Sequence, residues 1–266
     1  MNEVTTPIDV TVTSRPLAVI TGGSSGIGKC LVRTFAQARY AVAFNYLGDP
    51  APASALVSEL EAAGASVFCT SNDVGLSAEV EAFHASVAAW HGAAPDVLIN
   101  NAGIQTWSPL LELPESNWDV VLRTNLKGCF LNTQRVARAM VAAGKRGAII
   151  NIGSGCNKLA FPGLVDYTAS KGGIEQFTKV AAVELGPHGI RVNCVAPGAI
   201  ATERTRHESR DYAATWSKVT PLGRIGTPED VAAVVLFLAG PGGSFVTGQT
   251  IWVDGGLFTR ANWPYA

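Results

Sequence analysis

Short apolar runs rich in β-branched residues alternate along this chain with longer segments of helical period. Such alternation is the pattern of βαβ units, and it predicts an α/β domain built on a parallel sheet. Expected strands are Leu17–Thr21, Ala41–Asn45, Ser66–Thr70, Val97–Asn100, Gly147–Ile152, Arg191–Val195 and Thr250–Val253. Expected helices are Gly26–Ala38, Ala53–Ala63, Ser77–Trp90, Glu115–Val141, Tyr167–Leu185 and Pro228–Leu238. The pattern therefore predicts a doubly wound sheet of about seven strands with helices on both faces.

The domain organisation follows from what separates these elements. No internal repeat, low-complexity tract or Pro/Ser-rich linker interrupts residues 17–266, which we expect to form a single domain. Residues 1–16 have neither a basic start nor an apolar block, so we expect a loosely ordered leader rather than a signal peptide. The least regular stretch, residues 199–220, follows a strand end, where open α/β sheets place their ligands. We expect a mobile lid there; the alternative is a solvated surface helix.

Composition excludes several classes of partner. The 266-residue chain is 47% hydrophobic with a formal net charge of -1, so we expect no basic surface for nucleic acid. Its longest uncharged apolar run, Val231–Ala239, is far shorter than the roughly 20 residues that span a bilayer. The five cysteines and four histidines are scattered without metal-ligand spacing. We therefore expect a cytoplasmic protein with reduced thiols and without a metal, membrane or nucleic-acid partner.

A glycine-rich turn follows the first predicted strand and opens directly into a helix. Its sequence, TGGSSGIG over residues 21–28, places Gly22 at the tight turn, while Gly26 and Gly28 let the backbone approach a ligand closely. Free N–H groups at the helix start can then bind a pyrophosphate. The context between strand and helix predicts a dinucleotide site, and the spacing excludes the loop of nucleotide triphosphatases.

The end of the second predicted strand bears on which dinucleotide is bound. An acidic residue there would bind the adenosine ribose hydroxyls, whereas an arginine nearby would accept a 2′-phosphate. Tyr46 occupies this position, Leu47 follows it, and Asp49 is too far along the chain. The sequence therefore leaves the choice between NAD(H) and NADP(H) open.

Tyr167 and Lys171 lie four residues apart at the start of a helical run, so their side chains share one helix face. The ammonium group favours the phenolate form of its neighbour, which suits Tyr167 to acid–base work near neutral pH. Thirteen residues earlier, Ser154 closes a predicted strand, where its hydroxyl can hydrogen-bond a carbonyl oxygen. Singly, the Tyr/Lys pair is ordinarily surface decoration and the serine a strand-end cap; with the glycine turn they indicate catalysis.

Six motifs in order now resemble a known family. They are TGGSSGIG, NNAG at Asn100–Gly103, Asn125 within NLKG, Ser154, YTASK and the Pro197–Gly198 pair. Together they are similar to the classical short-chain dehydrogenases/reductases over nearly the whole chain, from about Leu17 to Gly256. The resemblance implies a single Rossmann-type domain that binds a nicotinamide dinucleotide.

The same resemblance implies roles for the matching positions. Tyr167 would exchange a proton with the substrate oxygen, and Ser154 would orient that oxygen. Lys171 would bind the nicotinamide ribose, and Asn125 would anchor a water that links Lys171 to solvent. The positions implied to contact the cofactor are Gly22, Ser24, Ser25, Ile27, Gly28, Tyr46, Asp73, Val74, Asn101, Ala102, Gly103, Tyr167, Lys171, Pro197, Gly198, Ile200 and Thr202.

The function implied is an NAD(P)(H)-dependent oxidoreductase that interconverts a ketone and a secondary alcohol. Within the family, the chain resembles 3-oxoacyl-[acyl-carrier-protein] reductases, with sugar or polyol dehydrogenases as the alternative. Ser25 stands where many NADP enzymes carry a basic residue, which leaves cofactor choice unsettled. A rival of another class is a dinucleotide-binding redox sensor without catalysis, although it would need only the binding half of the site.

Two further expectations concern assembly and the substrate pocket. The resemblance implies a homotetramer built on the helices Glu115–Val141 and Tyr167–Leu185 and the last strand. The aromatic tail, Leu257–Ala266, could cover a subunit interface or reach a neighbouring active site. Cys156, two residues after Ser154, could line the substrate pocket or serve packing alone.

Overall fold

Seven parallel strands form a single sheet in the computed structural model, which describes residues 15–208 and 210–259. Its strand order is β3-β2-β1-β4-β5-β6-β7, and every neighbouring pair is parallel. This sheet confirms the predicted fold class. The leader up to residue 14 and the tail from residue 260 lie outside the described residues. The strands are β1 Leu17–Ile20, β2 Ala41–Tyr46, β3 Val67–Ser71, β4 Val97–Asn100, β5 Gly147–Ile152, β6 Ile190–Pro197 and β7 Thr250–Val253.

Helices cover both faces of the sheet. Buried residues of α1, α2 and α9 form one apolar cluster against it, and buried residues of α3, α5 and α6 form another. Single 3-10 turns occur at Leu110–Glu112, Gly155–Asn157, Gly186–His188 and Pro241–Gly243. The helices are α1 Gly26–Gln37, α2 Ala51–Ala62, α3 Ser77–His91, α4 Glu115–Leu122, α5 Gly128–Ala142, α6 Val165–Leu185, α7 Glu203–Glu208, α8 Tyr212–Val219 and α9 Pro228–Ala239.

Successive residues of β1 pack alternately into the two apolar clusters. Ala18 and Ile20 belong to the cluster under α1 and α9, whereas Leu17 and Val19 belong to the cluster under α5 and α6. Successive strand residues point to opposite faces, so a strand covered on both sides must be apolar at every position. This requirement explains why the predicted strands are continuous apolar runs rather than alternating ones.

The chain reverses its direction of winding between β1 and β4. These two strands are neighbours, with the Thr21 N–H donating to the Ile99 carbonyl oxygen at 3.0 Å just beyond β1. Connections that leave two adjacent strands toward opposite sides open a crevice at their carboxyl ends. The glycine-rich turn after β1 and the NNAG segment after β4 both lie at this crevice.

One predicted helix was wrong as a continuous element. The segment Glu115–Val141 forms α4, a π-helical turn over Arg123–Lys127, and α5. The π-helical turn contains Asn125, whose side chain bonds the backbone of Ile104. Apolar spacing cannot reveal one wider turn within a helix, because the residues on either side keep the helical period. Elsewhere the predicted bounds are right or shift by one or two residues.

The expected lid, residues 199–220, is more regular than predicted. Apart from residue 209, which is not described, it contains the two short helices α7 and α8. The rings of Tyr212 and Trp216, four residues apart on α8, lie 6.2 Å from each other. Aromatic side chains at this spacing share a helix face, and that signal could have predicted the helix.

Two bulk features of the sequence can be checked in the structure. None of the helices in the described ranges has the length and apolar character that a bilayer crossing requires. All five cysteines are free thiols: Cys69 is half-buried, and the buried ones are Cys30, Cys129, Cys156 and Cys194.

Candidate active site

A cleft of about 730 Å³ lies over the carboxyl ends of the strands. The glycine turn and the NNAG segment form one part of its wall. The end of β5 and the start of α6 form another, and the lid helices α7 and α8 form a third. The cleft therefore occupies the crevice that the winding of the sheet creates.

The glycine-rich turn is held by contacts that only glycine permits. Gly22 has a φ of +67°, and a Cβ on it would lie 2.9 Å from Cα of Ala102. The Asn45 side chain accepts a hydrogen bond from the Gly22 N–H at 2.8 Å, and its backbone oxygen accepts one from Gly23 at 2.9 Å. Asn45 was missed by the sequence analysis, although an asparagine inside an otherwise apolar strand is a signal of a buried polar role.

The turn and the start of α1 fit the pyrophosphate of a dinucleotide. A Cβ on Gly28 would overlap the carbonyl oxygen of Gly22, so the helix can approach the turn this closely only with glycine. The Asn101 side chain donates to the carbonyl oxygens of Thr21 and Gly22, at 3.0 Å each. The N–H groups at the start of α1 have no carbonyl partner within the helix, so those that follow Gly26 are available to a phosphate in the cleft.

The structure brings the predicted cofactor positions together in this one cleft. Every one of them lines it, as do Ser154 and Cys156, while Asn125 lies buried just behind the wall. The lining positions predicted for the cofactor are Gly22, Ser24, Ser25, Ile27, Gly28, Tyr46, Asp73, Val74, Asn101, Ala102, Gly103, Tyr167, Lys171, Pro197, Gly198, Ile200 and Thr202.

Lys171 is a buried cation directed into the cleft. The residue is only 4% exposed, and Nζ donates to the Ile152 carbonyl oxygen at 2.8 Å. Nζ also lies 5.5 Å from the centre of the Tyr167 ring. A Cβ on Gly103 would approach Nζ to 3.7 Å, so this glycine keeps the surroundings of the ammonium group open. The ammonium group retains donors for a further ligand, because one hydrogen bond uses only one of its three N–H groups.

Ser154 ends β5 in an extended conformation and caps the 3-10 turn that follows. Its Oγ accepts a hydrogen bond from the Cys156 N–H at 3.3 Å, and its own N–H donates to Oδ1 of Asn157 at 3.1 Å. These bonds fix the hydroxyl oxygen while leaving its proton free to be donated. The strand-end cap and the predicted hydrogen-bonding role are therefore compatible.

Asn125 joins the wall of the cleft to α6. Its Oδ1 accepts from the Ile104 N–H at 2.8 Å, and its Nδ2 donates to the Ile104 carbonyl oxygen at 2.9 Å and to Oγ of Ser170 at 3.0 Å. The side chain is thus occupied by protein partners. A water held by this residue, as the family resemblance implies, would have to bind its backbone carbonyl within the π-helical turn.

Asp166 is a further residue of the site that the sequence analysis missed. Its carboxylate is fully buried beside the Thr106 hydroxyl, which donates to it, and it also accepts from the Tyr167 N–H at 2.7 Å. An acceptor at the first turn of a helix satisfies an otherwise free N–H group. Asp166 therefore fixes the start of α6, and with it Tyr167, against the loop that carries Thr106.

The adenosine end of the cleft carries few fixed charges. The Asp73 carboxylate is engaged by the Gly75 N–H at 2.8 Å and by Arg123 at 3.1 Å. Asp49 accepts from the Ala51 N–H at 2.9 Å at the start of α2. Leu47, beside Tyr46, is 68% exposed. The wall after β2 thus presents a phenol and an apolar side chain.

The lid touches both ends of the cleft. On α7, Glu203 accepts a hydrogen bond from the Gly26 N–H of the glycine turn at 3.2 Å, and Arg204 donates to Gln105 at 3.0 Å. On α8, Tyr212 lines the cleft, and burial together with the charge of Glu208 raises its pKa to about 12. The phenol of Tyr212 therefore stays protonated throughout the neutral range.

Cys156 and the start of the aromatic tail also line this cleft. Cys156 is buried in its wall, and burial raises the pKa of the thiol above its ordinary value. Leu257 and Phe258, the start of the aromatic tail, line the cleft of their own chain. The rest of the tail, from residue 260, lies outside the described residues.

Several known proteins resemble this chain in sequence. A family model described as Enoyl-(Acyl carrier protein) reductase matches residues 22–258. The 3-oxoacyl-[acyl-carrier-protein] reductase FabG of Staphylococcus epidermidis is 40% identical over 241 residues, which are 91% of this chain and 98% of that protein. The protein of the same name from Chlamydia muridarum is 39% identical over 244 residues, 90% of this chain and 96% of that one.

Solved structures with the same fold include sugar-acid dehydrogenases. A gluconate 5-dehydrogenase from Burkholderia cenocepacia J2315, in complex with NADP and tartrate, matches with a TM-score of 0.86 and 36% identity over 92% of this chain and 96% of that one. A putative gluconate dehydrogenase from Agrobacterium tumefaciens matches with a TM-score of 0.87 and 31% identity over 92% and 97%. Sequence, fold and relatives agree, and the chain belongs to the short-chain dehydrogenase/reductase family, whose members are nicotinamide-dependent oxidoreductases acting on CH–OH groups.

Proposed function

We propose that this enzyme interconverts a ketone and a secondary alcohol, and that the ketone it reduces is a 3-oxoacyl thioester. The FabG reductases, 40% identical over nearly their whole length, support the thioester. The observation that carries the reaction type is the buried Lys171 ammonium group beside Tyr167, held by the Ile152 carbonyl oxygen at 2.8 Å. A buried cation next to a phenol is the arrangement that proton transfer to a substrate oxygen requires.

Each of these residues of the cleft has its own role in the reduction. When bound, the reduced nicotinamide supplies the hydride that reaches the carbonyl carbon. The Tyr167 hydroxyl gives its proton to the carbonyl oxygen, which completes the secondary alcohol. The Ser154 hydroxyl donates a hydrogen bond to the same oxygen and holds it in front of Tyr167. Lys171 binds the nicotinamide ribose hydroxyls, and its charge stabilises the phenolate that Tyr167 becomes.

Tyr167 must regain its proton before the next turnover. Lys171 passes a proton toward the phenolate, and a water on the backbone carbonyl of Asn125 restores the ammonium group from solvent. The three hydrogen bonds of the Asn125 side chain support this role, because they fix the π-helical turn that carries the carbonyl.

We infer that the adenosine end selects weakly between NADP(H) and NAD(H). Tyr46 and Leu47 carry neither the cation that would bind a 2′-phosphate nor the carboxylate that would bind ribose hydroxyls and repel it. Ser25 offers only a hydroxyl in the turn. Titration of both reduced cofactors against tryptophan fluorescence tests this inference, since we expect dissociation constants within about tenfold of each other.

A sugar acid is the second candidate substrate. The solved structures named as gluconate dehydrogenases support it, one of them in complex with NADP and tartrate. Oxidation of a hydroxyl in such a substrate uses the same four residues in reverse. A coupled assay of 3-oxoacyl thioesters in the reducing direction and of sugar acids in the oxidising direction distinguishes the two candidates.

Replacement of Tyr167 tests the reaction itself. Tyr167→Phe should lower kcat by about 10³-fold with every substrate while cofactor affinity changes little, because only the proton donor is lost. Tyr40→Phe is the matched control, since Tyr40 packs 5.0 Å from the Phe35 ring on α1, away from the cleft. Unchanged turnover by Tyr167→Phe contradicts the assignment. Cofactor binding by the wild type without turnover of any carbonyl or alcohol favours the redox sensor instead.

We further infer a homotetramer in the cytoplasm. Apolar side chains on the outer face of α5 and α6 support the assembly: Phe130 and Val183 are exposed, and the Phe130 and Phe177 rings lie 6.3 Å apart. The five free thiols suit a reducing compartment. Light scattering of the purified protein tests the assembly, and Val183→Lys should give smaller species. A monomeric wild type contradicts the inference.

A further inference from the structure

Aromatic side chains surround the end of the cleft beyond Ser154 and Tyr167. They come from four separate segments: the loop after β4, the loop after β5, the lid helix α8 and the C-terminal tail. We call this set the aromatic wall; its members are Trp107, Phe161, Tyr212, Trp216 and Phe258. An aromatic lining collected from four segments gives this end of the cleft a chemistry unlike that of the glycine turn.

Phe258 is fixed directly on the loop that carries the catalytic serine. A Cβ on Gly155, the residue after Ser154, would overlap the Phe258 ring, so ring and backbone are in full contact. The Phe258 N–H donates to the Asp254 carboxylate at 2.9 Å, and its ring lies 5.9 Å from Phe161 in an edge-to-face arrangement. The described end of the chain thus contributes a ring to its own active site.

Trp107 lines the cleft from the loop after β4. The neighbouring Ser108 N–H donates to the Gly163 carbonyl oxygen at 2.9 Å, and Thr106 donates to the buried Asp166. The Trp107 ring lies 3.5 Å from the place a Cβ of Gly163 would occupy, yet 61% of the residue is exposed. A tethered but largely exposed indole is available to cover an apolar group beside Tyr167.

The lid adds the two remaining rings. Tyr212 and Trp216 share one face of α8, with ring centres 6.2 Å apart, and both line the cleft. Tyr167 lines the same cleft. Both lid rings therefore face the cleft that contains the catalytic tyrosine.

Charged and amide groups at this end are already paired with one another. Arg204 donates to Gln105 at 3.0 Å and lies 3.7 Å from the Glu208 carboxylate. Ser154 and Tyr167 are committed to the reacting oxygen. Beyond them, much of the surface that a substrate would meet at this end of the cleft is aromatic. Burying hydroxyls without partners is unfavourable, whereas burying an apolar ring against aromatic rings is favourable.

We propose that the substrate carries a flat apolar group, aromatic or alicyclic, next to its carbonyl, and that Phe258 is a specificity-determining residue for that group. This inference rests on the proposed ketone–alcohol reaction and narrows its substrate class. It favours 3-oxoacyl compounds with a bulky acyl group over sugar acids. The flat group would contact Phe258 and the other rings of the aromatic wall.

A matched substrate series tests the class with the cofactor-loaded enzyme. The three ketones are ethyl 3-oxo-3-phenylpropanoate, ethyl 3-oxobutanoate and 5-keto-gluconate. We expect kcat/KM to be highest for the phenyl compound, exceeding the polyhydroxylated ketone by at least about 100-fold. A higher kcat/KM for 5-keto-gluconate than for the phenyl compound overturns the inference while leaving the proposed oxidoreductase reaction intact.

Variants of Phe258 test its role separately from the chemistry. Phe258→Ala should lower the ratio of kcat/KM for the phenyl compound to that for ethyl 3-oxobutanoate by about tenfold, and Phe258→Leu should restore part of it. Phe245→Ala is the matched control, because Phe245 is fully exposed and away from the cleft. An equal loss for both ketones overturns the specificity role and assigns Phe258 to packing alone.

Ligand binding separates failure of this inference from failure of the proposed reaction. Phenylacetamide and gluconamide, which cannot be reduced in the assay, are titrated by calorimetry into the cofactor-loaded enzyme. We expect phenylacetamide to bind at least about tenfold more tightly than gluconamide, and more weakly to Phe258→Ala. Preference for phenylacetamide without turnover of any ketone supports the aromatic wall and contradicts the reaction. Preference for gluconamide contradicts the aromatic wall.

Discussion

The floor and the rim of the cleft are held in different ways. The floor consists of Asn125, Ser154, Tyr167 and Lys171; the rim consists of the lid, residues 199–220, together with Tyr46 and Leu47. Asn125 and Lys171 are buried and bonded to backbone atoms at 2.8–2.9 Å. Ser154 is fixed by two hydrogen bonds of its own loop. These hydrogen bonds to the backbone and within the Ser154 loop hold the side chains of the floor in place.

Several side-chain contacts of the rim are exposed. Glu203 reaches the Gly26 N–H at 3.2 Å in an exposed bond, and Arg204 lies 3.7 Å from Glu208. Leu47 has most of its surface in solvent. Exposed polar contacts of this kind contribute little to stability. The rim can therefore rearrange around a ligand at low cost, whereas the floor cannot.

This difference assigns separate duties to the two regions. A rigid floor fixes which atoms exchange a proton, and so fixes the type of reaction. We infer that the adaptable rim selects the cofactor and the ketone that reach the floor. Changes in the floor should lower turnover for all substrates alike, and changes in the rim should alter preference while turnover persists.

The largest effect is expected from Asn125→Ala, which breaks the floor. The substitution leaves the half-buried N–H and carbonyl of Ile104 without their partner, which should cost about 2 kcal/mol of unfolding free energy. It should also lower kcat by about 10- to 100-fold, because the π-helical turn and Ser170 lose their link. Denaturant unfolding and steady-state kinetics measure both.

The pattern across substrates shows whether Asn125 belongs to the floor. We expect kcat to fall by the same factor for ethyl 3-oxo-3-phenylpropanoate and for ethyl 3-oxobutanoate. The ratio of kcat/KM between the two ketones should change little. A loss confined to one ketone would mean that Asn125 shapes the substrate pocket. Measurement at a temperature where the variant is folded, checked by circular dichroism, keeps the two effects apart.

The next largest effect is expected from Leu47→Arg at the adenosine end of the rim. A guanidinium group there can bind a 2′-phosphate, so the ratio of kcat/KM for NADPH to that for NADH should rise about tenfold. Leu47→Asp should move the same ratio in the opposite direction. Leu222→Arg is the control, since Leu222 is 70% exposed and lies outside the cleft. An unchanged ratio in both Leu47 variants places the selection of the phosphate elsewhere.

Local patterns predicted the fold and most of the floor. Continuous apolar strands predicted the parallel sheet, and the spacing of Tyr167 and Lys171 put both side chains on one helix face. The features that the sequence did not predict are hydrogen bonds between residues far apart in the chain. Glu203 and Gly26 are 177 positions apart, and Thr106 and Asp166 are 60 positions apart. No periodicity within one segment reports such contacts, because they depend on how the sheet brings loops together.

A smaller effect is expected from Glu203→Gln, which tests whether the lid competes with the cofactor. The Glu203 carboxylate occupies an N–H group of the turn that we propose binds the pyrophosphate. Removing this negative charge should tighten binding of either reduced cofactor about threefold and weaken the salt dependence of binding. Glu208→Gln, on the same helix but beside Arg204, is the control. Weaker binding by Glu203→Gln would show that the carboxylate positions the lid for the cofactor instead.

The smallest effect is expected from the ion pair between Arg224, which follows the lid, and Asp230 on α9. Arg224 binds the Asp230 carboxylate at 2.6 Å and lowers the pKa of that carboxyl to about 2. Since the folded-state pKa lies below the ordinary value of 3.8, the pair stabilises the protein above about pH 4, and this contribution is lost as the pH falls toward 2. Both side chains are partly exposed, so solvent screening limits the contribution to about 1 kcal/mol or less.

Asp230→Asn measures this contribution. We expect unfolding in urea at pH 7 to show a loss of about 1 kcal/mol or less, and the difference from wild type to shrink as the pH is lowered from 4 to 2. Lys179→Gln, which removes another exposed ion pair remote from the cleft, is the control. A loss of several kcal/mol would mean that the base of the lid is as rigid as the floor. The adaptable part of the rim would then be confined to α7, α8 and the adenosine end.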